Sequence, residues 1–328
     1  EPSTDPQETS TALQDSDVDV LVIGAGGAGL SAAVSATENG ASVIVVEKMS
    51  MMGGNTLRSG GAVNSYDPEG QASTKMDDSL KATVEKLLAV EPVSDAHKQL
   101  IEDVQKQYDD YLASGSDSLF DSPEWHALQT LDAGDYIGNI DLILTLTRNT
   151  LDTKKWLTAN GTTWDPTIRT VIGALWNRSA QTTNVSGADF IAALSTQAEK
   201  NGAQIYLDTK AESLLQENGK VVGATITNAE GKTVTVNAKS VVMATGGFAA
   251  NVEMRVKYNT EWDDLGETIA TNNHPGATGD GIVMGEAVGA DLVDMGWIQL
   301  MPLFPVSGGG ISGYVNNAIY VNKEGQRY

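Results

Sequence analysis

The stretch Val18 to Lys48, VDVLVIGAGGAGLSAAVSATENGASVIVVEK, decides the fold of this chain. It opens with an apolar run, Val20 to Ile23, of the length and β-branched content of a buried parallel strand. Gly24, Gly26 and Gly29 follow in the spacing G-x-G-x-x-G, with Ala25, Gly27 and Ala28 between them. A helical pattern comes next, with Leu30, Ala33, Val34 and Thr37 on one face, and Asn39-Gly40 closes it as a helix C-terminus. A second apolar strand, Val43 to Val46, delivers Glu47 at its end. In such a unit the first glycine permits the tight strand-to-helix turn. The second lets backbone approach a pyrophosphate, and the third lets helix and strand pack closely. The helix N-terminus offers unpaired N–H groups and a partial positive charge to the phosphates. Glu47 lies about 20 residues on, placed to accept the ribose hydroxyls of an adenosine, and its charge disfavours NADP by repelling a 2′-phosphate. The glycine spacing alone is a weak signal in a chain with 34 glycines. Strand, glycines, helix, strand and acid in this order make the dinucleotide reading specific.

At 328 residues and 41% hydrophobic content the chain can bury a real core, as two ordinary domains or one large domain plus the start of another. The formal charge of -22 argues against nucleic acid and anionic membrane surfaces, both of which need a basic face. Cysteine is absent, which excludes thiol nucleophiles, iron–sulfur clusters and disulfides on this chain. His97, His126 and His274 stand far apart without metal-ligand spacing, so no metal site is expected and each reads as an ordinary surface or capping residue. No apolar run of about 20 residues exists to span a bilayer. Residues 1–16 are rich in Pro, Ser, Thr, Asp, Glu and Gln, the composition of a linker or tail.

Beyond Glu47 and Lys48, two Gly-Gly pairs, Gly53-Gly54 and Gly60-Gly61, flank Asn55, Thr56 and Ser59, as backbone does when it runs against something flat. Helical periodicity covers roughly 77–141, broken at Pro92, Pro123 and Gly134, and further helices are expected over 142–160 and 189–201. Trp125, His126 and Tyr136 read as packing residues. Four segments of β composition, 204–207, 211–216, 221–228 and 233–237, suggest a small antiparallel meander. The chain then returns to the parallel sheet through Ser240 to Ala244, ending in Thr245-Gly246-Gly247, bare backbone at the carboxyl edge where open α/β sheets bind ligands. A polar glycine-rich loop, Thr271 to Gly281, opens a last helix with Asp280 at or near its N-cap.

Five motifs in order, DVLVIGAGGAGL with VVEK (Asp19 to Lys48), GGNT with SGG (Gly53 to Gly61), ATGGF (Ala244 to Phe248), NHPGATGDG (Asn273 to Gly281) and VNKEGQRY (Val321 to Tyr328), span about 300 residues. Together they resemble the FAD-dependent fumarate reductase and succinate dehydrogenase flavoprotein family, in its soluble branch of flavocytochrome c fumarate reductases and urocanate reductases. The resemblance implies an α/β fold, a Rossmann-like FAD-binding domain with a parallel sheet and a small antiparallel meander, over 17–295, and the beginning of a capping domain over 296–328. It implies FAD, with the pyrophosphate on Gly24 to Gly29 and the adenosine ribose on Glu47. Gly54, Asn55, Thr56, Ser59, Gly60 and Gly61 would line the flavin side. Ala211 would meet the adenine through its backbone, and Ala244, Thr245, Gly246 and Asp280 would complete the pocket. Relatives that attach FAD covalently use a histidine near the second Gly-Gly pair; none stands here, so FAD is expected to be non-covalent.

The reaction implied is reduction of the C=C bond of an α,β-unsaturated carboxylate by hydride from flavin N5, with Arg327 as proton donor. Arginine is a weak acid, its pKa above about 12, but the carbanion it would quench is a far stronger base. Met301 stands where fumarate-specific members place a substrate-binding histidine, and Ile311 to Asn317 carries no T-E-x-x-R element, so the substrate is expected to be a fumarate- or urocanate-like unsaturated carboxylate that those groups do not select. The family's remaining substrate and flavin residues belong to a C-terminal portion this chain lacks, so the chain is expected to be a fragment completed by that portion. One dinucleotide fingerprint implies that electrons come from another domain or protein, carrying FMN or haem, and an exported or cell-surface location is expected with a cytoplasmic one left open. The alternatives are a flavin dehydrogenase or oxidase, such as a ketosteroid dehydrogenase, and a non-catalytic flavin-binding electron-transfer module.

Overall fold

The computed structural model describes residues 12–171 and 175–300, together with 304–305, 311–312, 319, 321 and 324–326. The chain divides into two compact units, one of Glu1–Ser59 with Phe190–Tyr328 and the other of Gly60–Asp189.

In chain order the first unit begins with β1 (Ser16–Ile23), α1 (Gly27–Glu38) and β2 (Val43–Val46). The second unit contributes β3 (Ala62–Asn64), α2 (Asp78–Leu88), α3 (Asp95–Ser114), α4 (Pro123–Ala133), α5 (Ile140–Ala159) and β4 (Ser179–Gln181). Helix α6 (Ala188–Lys200) carries the chain back to β5 (Gln204–Tyr206), β6 (Lys210–Glu217), β7 (Lys220–Thr227), β8 (Thr233–Met243), α7 (Val252–Tyr258) and α8 (Asp280–Ala287). The short strands β9 (Phe304–Pro305) and β10 (Ile311–Ser312) pair antiparallel.

The first unit is built on a six-stranded sheet in the order β5-β2-β1-β8-β7-β6. β1 pairs parallel with β2, Val20 facing Val43 and Ile23 facing Val46, and parallel with β8, Ser16 facing Val236 and Ile23 facing Met243. Strands buried on both faces read as continuous β-branched runs, and every residue of β2, Val-Ile-Val-Val, is buried. Leu21, Ile23, Ile44, Val46, Ile226 and Val236 form the core with Met284 of α8. Each such side chain contributes roughly 1.5–3 kcal/mol of burial.

Three sequence expectations shift. The segment at 204–207 is not part of the meander: β5 pairs parallel with β2, Val45 facing Ile205, and extends the parallel sheet at its edge. The segments at 233–237 and 240–244 are one strand, β8, which pairs antiparallel with β7 and parallel with β1. The tail placed over residues 1–16 ends earlier, because Leu13 is buried in the core at 1% exposure, Asn228 donates to its carbonyl at 2.8 Å, and β1 starts at Ser16.

The second unit packs its helices around Trp125, Leu128, Leu131, Val104, Tyr108, Phe120 and Trp176. Its helices start where small polar residues cap them: Asp77, Ser94, Ser122 and Asn139 accept from the backbone N–H three residues on. A buried ion pair, Arg178 Nη2 to Asp121 Oδ1 at 2.6 Å, ties the segment before β4 to the start of α4. Among the described residues no helix is long and apolar enough to cross a membrane, and no group of acidic or histidine side chains is arranged to hold a metal.

Candidate functional site

The carboxyl ends of β1, β2 and β8 are tied together by backbone hydrogen bonds, Gly24 N to Val46 O at 2.8 Å and Ala244 N to Ile23 O at 2.9 Å. At this edge lies a cavity of about 420 Å³, and every residue lining it belongs to the first unit.

The glycines of the β1–α1 turn have separate tasks. Gly24 adopts φ of +105°, and a Cβ there would lie 2.5 Å from the Ala244 carbonyl oxygen. At Gly29 a Cβ would lie 1.8 Å from the Gly24 carbonyl oxygen, so only glycine closes the helix onto the turn. At Gly26 a Cβ would meet nothing but the Gly53 carbonyl oxygen, at 3.8 Å; this position borders the cavity. Gly26 is the N-cap of α1 and supplies no side-chain cap. The Gly27 N–H is taken by Thr56 Oγ1 at 3.1 Å, and no acidic side chain in the first turn offsets the positive end.

Glu47 is 8% exposed and held in place from both sides. Ala25 N donates to its Oε2 at 2.9 Å and Met49 N to its Oε1 at 3.0 Å. Each carboxylate oxygen keeps a second lone pair for a hydroxyl donor. Thr56 Oγ1 accepts from Gly27 N at 3.1 Å and fastens the Gly53-Gly54 turn to the start of α1. Asn55 joins this turn to the loop before α8: its Nδ2 donates to Asn273 Oδ1 at 2.8 Å, and its Oδ1 accepts from His274 N at 2.6 Å.

Lys48 and Asp280 form the charged part of the wall. Lys48 Nζ donates to Asp280 Oδ2 at 2.9 Å and to Thr278 Oγ1 at 2.6 Å, and Thr278 Oγ1 donates to Asp280 Oδ1 at 2.7 Å. Burial alone would raise the Asp280 carboxyl, but the hydrogen bonds from Lys48 and Thr278 and the Lys48 charge outweigh it and hold the group below its ordinary range.

Of the residues singled out from sequence, Gly24, Gly26, Gly27, Ala28, Glu47, Lys48, Gly54, Asn55, Thr56, Ala211, Ala244, Thr245, Gly246 and Asp280 line the cavity. Ala25 and Gly29 lie behind the wall and support it: Ala25 braces Glu47, and Gly29 packs against Gly24. Ser59 donates to the Thr56 carbonyl at 2.9 Å, closing the turn rather than facing the cavity. Gly60 and Gly61 belong to the second unit, where the Gly61 carbonyl accepts from Thr182 N at 2.9 Å. Arg327 and Met301 lie outside the described residues. The structure adds Thr209, Lys210, His274 and Gly276 to the wall. His274, expected as an ordinary surface or capping residue, borders the cavity: its backbone N donates to Asn55 Oδ1 at 2.6 Å and its Nδ1 accepts from the Gly276 N–H at 3.1 Å. Its place inside the NHPGATGDG motif was the available signal.

These residues fit a flavin dinucleotide. The uncapped start of α1 and the free face of Gly26 suit a diphosphate, a buried carboxylate with spare lone pairs suits ribose hydroxyls, and bare backbone at Thr245-Gly246 suits close approach.

The comparison with known proteins agrees. The sequence model of the family described as FAD dependent oxidoreductase matches residues 19–270. The chain is 38% identical over 331 residues to the NADH:acrylate oxidoreductase of Vibrio harveyi, covering 95% of this chain and 33% of that protein. It is 35% identical over 323 residues to the urocanate reductase of Eggerthella lenta, covering 95% and 45%. The structure of the open conformation of a flavocytochrome c3 fumarate reductase superposes with a TM-score of 0.72 at 27% identity, over 96% of this chain and 48% of that one. The chain thus spans between a third and about half of the length of these proteins. Glycine turn, buried carboxylate and sequence match converge: the chain belongs to the FAD dependent oxidoreductase family.

Proposed function

We propose that this chain is the FAD-holding part of a reductase that saturates the C=C bond of an α,β-unsaturated carboxylate of the acrylate, urocanate or fumarate kind. The observation that carries the reading is the cavity at the carboxyl edge of the sheet, with an uncapped helix start at one wall and braced Glu47 at another. The names of the relatives, acrylate oxidoreductase and urocanate reductase, supply the reaction class. FAD, when bound there, supplies the hydride for one alkene carbon.

The chain's own residues do the rest. Gly26 and Ala28 would present backbone N–H groups to the diphosphate, with Gly27 N held by Thr56 Oγ1, and the positive end of α1 would offset its charge. Glu47 takes the adenosine ribose and Ala211 the adenine through its backbone. Asn55 and Thr56, on the turn that Ser59 closes, receive the flavin side without a covalent link. Lys48 keeps Asp280 ionised next to the bound dinucleotide, so that the carboxylate accepts hydroxyl donors at fixed angles. Arg327 adds the proton to the second alkene carbon, and Met301 borders the substrate in place of a histidine. Electrons reach the site from a separate domain or protein bearing FMN or haem, with the protein exported.

The test is an anaerobic one on the protein that contains this chain. Photoreduced flavin is mixed with acrylate, urocanate, fumarate and a saturated control, and reoxidation is followed by absorbance. Reoxidation by one unsaturated acid and not by its saturated product is the expected result. A colourless protein that takes up no FAD, or reduced flavin indifferent to every unsaturated acid, overturns the proposal.

A further inference from the structure

In the helical unit a second cavity, of about 310 Å³, is bordered by Asn64, His126, Gln129, Thr130, Leu175 and Arg178. None of them borders the cavity at the edge of the sheet. His126, Gln129 and Thr130 stand at i, i+3 and i+4 on α4 and so share one face of the helix. Gln129 is 3% exposed, yet its amide makes no hydrogen bond to any described residue, and Oε1 is buried without a partner. The His126 ring is in the same position, its Nδ1 buried and unpartnered. Burying polar groups without hydrogen bonds is unfavourable, and a leucine or methionine would fill the same helix face without that loss. Two such side chains on one cavity wall are accounted for by a molecule that bonds to them.

The facing wall states which kind. Arg178 is 2% exposed, and Asp121 engages its Nε at 3.1 Å and its Nη2 at 2.6 Å. That leaves the two N–H groups of Nη1, which have no acceptor among the described residues. Asn64 Oδ1 is taken by Ser179 Oγ, leaving the amide nitrogen as its free group. Both of these groups can only donate, and one carries charge. A matching ligand brings adjacent oxygen acceptors on little bulk.

We propose that this cavity binds a small carboxylate. Its oxygens sit on Arg178 Nη1 and the Asn64 amide nitrogen, a water that donates to Gln129 Oε1 links that buried acceptor to them, His126 completes the shell, and its carbon end lies against Leu175. The inference stands on the helical unit alone and is independent of the flavin reading.

The test titrates acetate, acrylate and neutral acetamide into the full protein while the ring resonances of His126 are followed by NMR, with calorimetry in parallel. His126 is expected to respond saturably to the carboxylates and about tenfold more weakly to acetamide, the ratio expected of one charge-assisted hydrogen bond. Gln129→Met and Asn64→Ala are expected to weaken the carboxylate by a similar factor without lowering Tm. Arg178 is left intact because its removal would strand Asp121. His126 resonances that stay fixed through the titration, acetamide binding as tightly as acetate, or folded variants that bind acetate unchanged each overturn the proposal, the cavity then holding water only.

Discussion

Two glycines two residues apart separate fold from function. At Gly24 the positive φ and the 2.5 Å approach of the Ala244 carbonyl oxygen forbid a side chain, so Gly24→Ala is expected to destabilise the first unit by about 2–3 kcal/mol. At Gly26 φ is −79° and the space is open toward the cavity, so Gly26→Ala is expected to change stability by under about 1 kcal/mol. Its methyl group, however, enters the cradle proposed for the diphosphate and is expected to weaken FAD at least about tenfold. Melts with and without FAD check both: a Gly26 variant stabilised by FAD as much as the parent removes the diphosphate from that face. His126 gives a second residue-scale prediction. Burial first, and the Arg178 charge second, push its ring down to about 3 from an ordinary 6.5, so the folded protein holds it neutral. The unfolded chain binds a proton below pH 6.5 and the folded one does not until about 3. Stability from this group is therefore complete above pH 6.5 and is lost progressively as pH falls toward 3. His126→Gln is expected to flatten the acid limb of the stability curve over that window, measured by urea unfolding from pH 7 to 4. An unchanged slope refutes the neutral buried ring.

Helix boundaries were largely legible because their causes are local. Ser94 caps α3 by accepting from His97 N at 3.1 Å, and Ser94→Ala is expected to cost about 1 kcal/mol in thermal unfolding, with a cap-neutral Ser94→Asp restoring it. The breaks at Pro92, Pro123 and Gly134 likewise coincide with real ends, since proline and glycine act within one turn of themselves. The strands were less legible because their pairing is not local. β8 carries Ala238-Lys239-Ser240 in its middle, which reads as an interruption. The strand continues because its partner changes there: Thr233 to Thr235 pair with β7, Val236 and Asn237 with both β7 and β1, and Ser240 to Met243 with β1. β5 is three residues long, and nothing in Gln-Ile-Tyr distinguishes an edge of a parallel sheet from the first strand of a meander. The site divides along the same line. The β1–α1 glycines and Glu47 announce themselves within one βαβ unit, whereas His274 meets Asn55 across 219 positions of sequence and Lys48 meets Asp280 across 232. No window of sequence contains such pairs.

At the scale of the molecule, the division into two units makes the proposed function testable without turnover. All residues lining this cavity lie in the first unit: the turn between β1 and α1, the ends of β2 and β8, the Gly54 to Thr56 turn, the start of β6, the loop before α8 and α8 itself. A ligand that binds only the folded state stabilises what it touches by RT ln(1 + [L]/Kd), about 2.7 kcal/mol at a concentration of one hundred Kd. Local openings that break its contacts are suppressed by that amount, and openings elsewhere are not. Hydrogen exchange with and without saturating FAD is therefore expected to slow by about a hundredfold in Ile23 to Leu30, Val46 to Thr56, Ala244 to Gly246 and Ala277 to Met284. Helices α2 to α5, built on their own core around Trp125, are expected to exchange at unchanged rates. Protection spread evenly over both units would instead mean that they open as one, and that stability gained in the cavity is shared by the whole chain. Protection confined to α2 to α5 would move the dinucleotide to the wrong unit and remove the basis for the reductase.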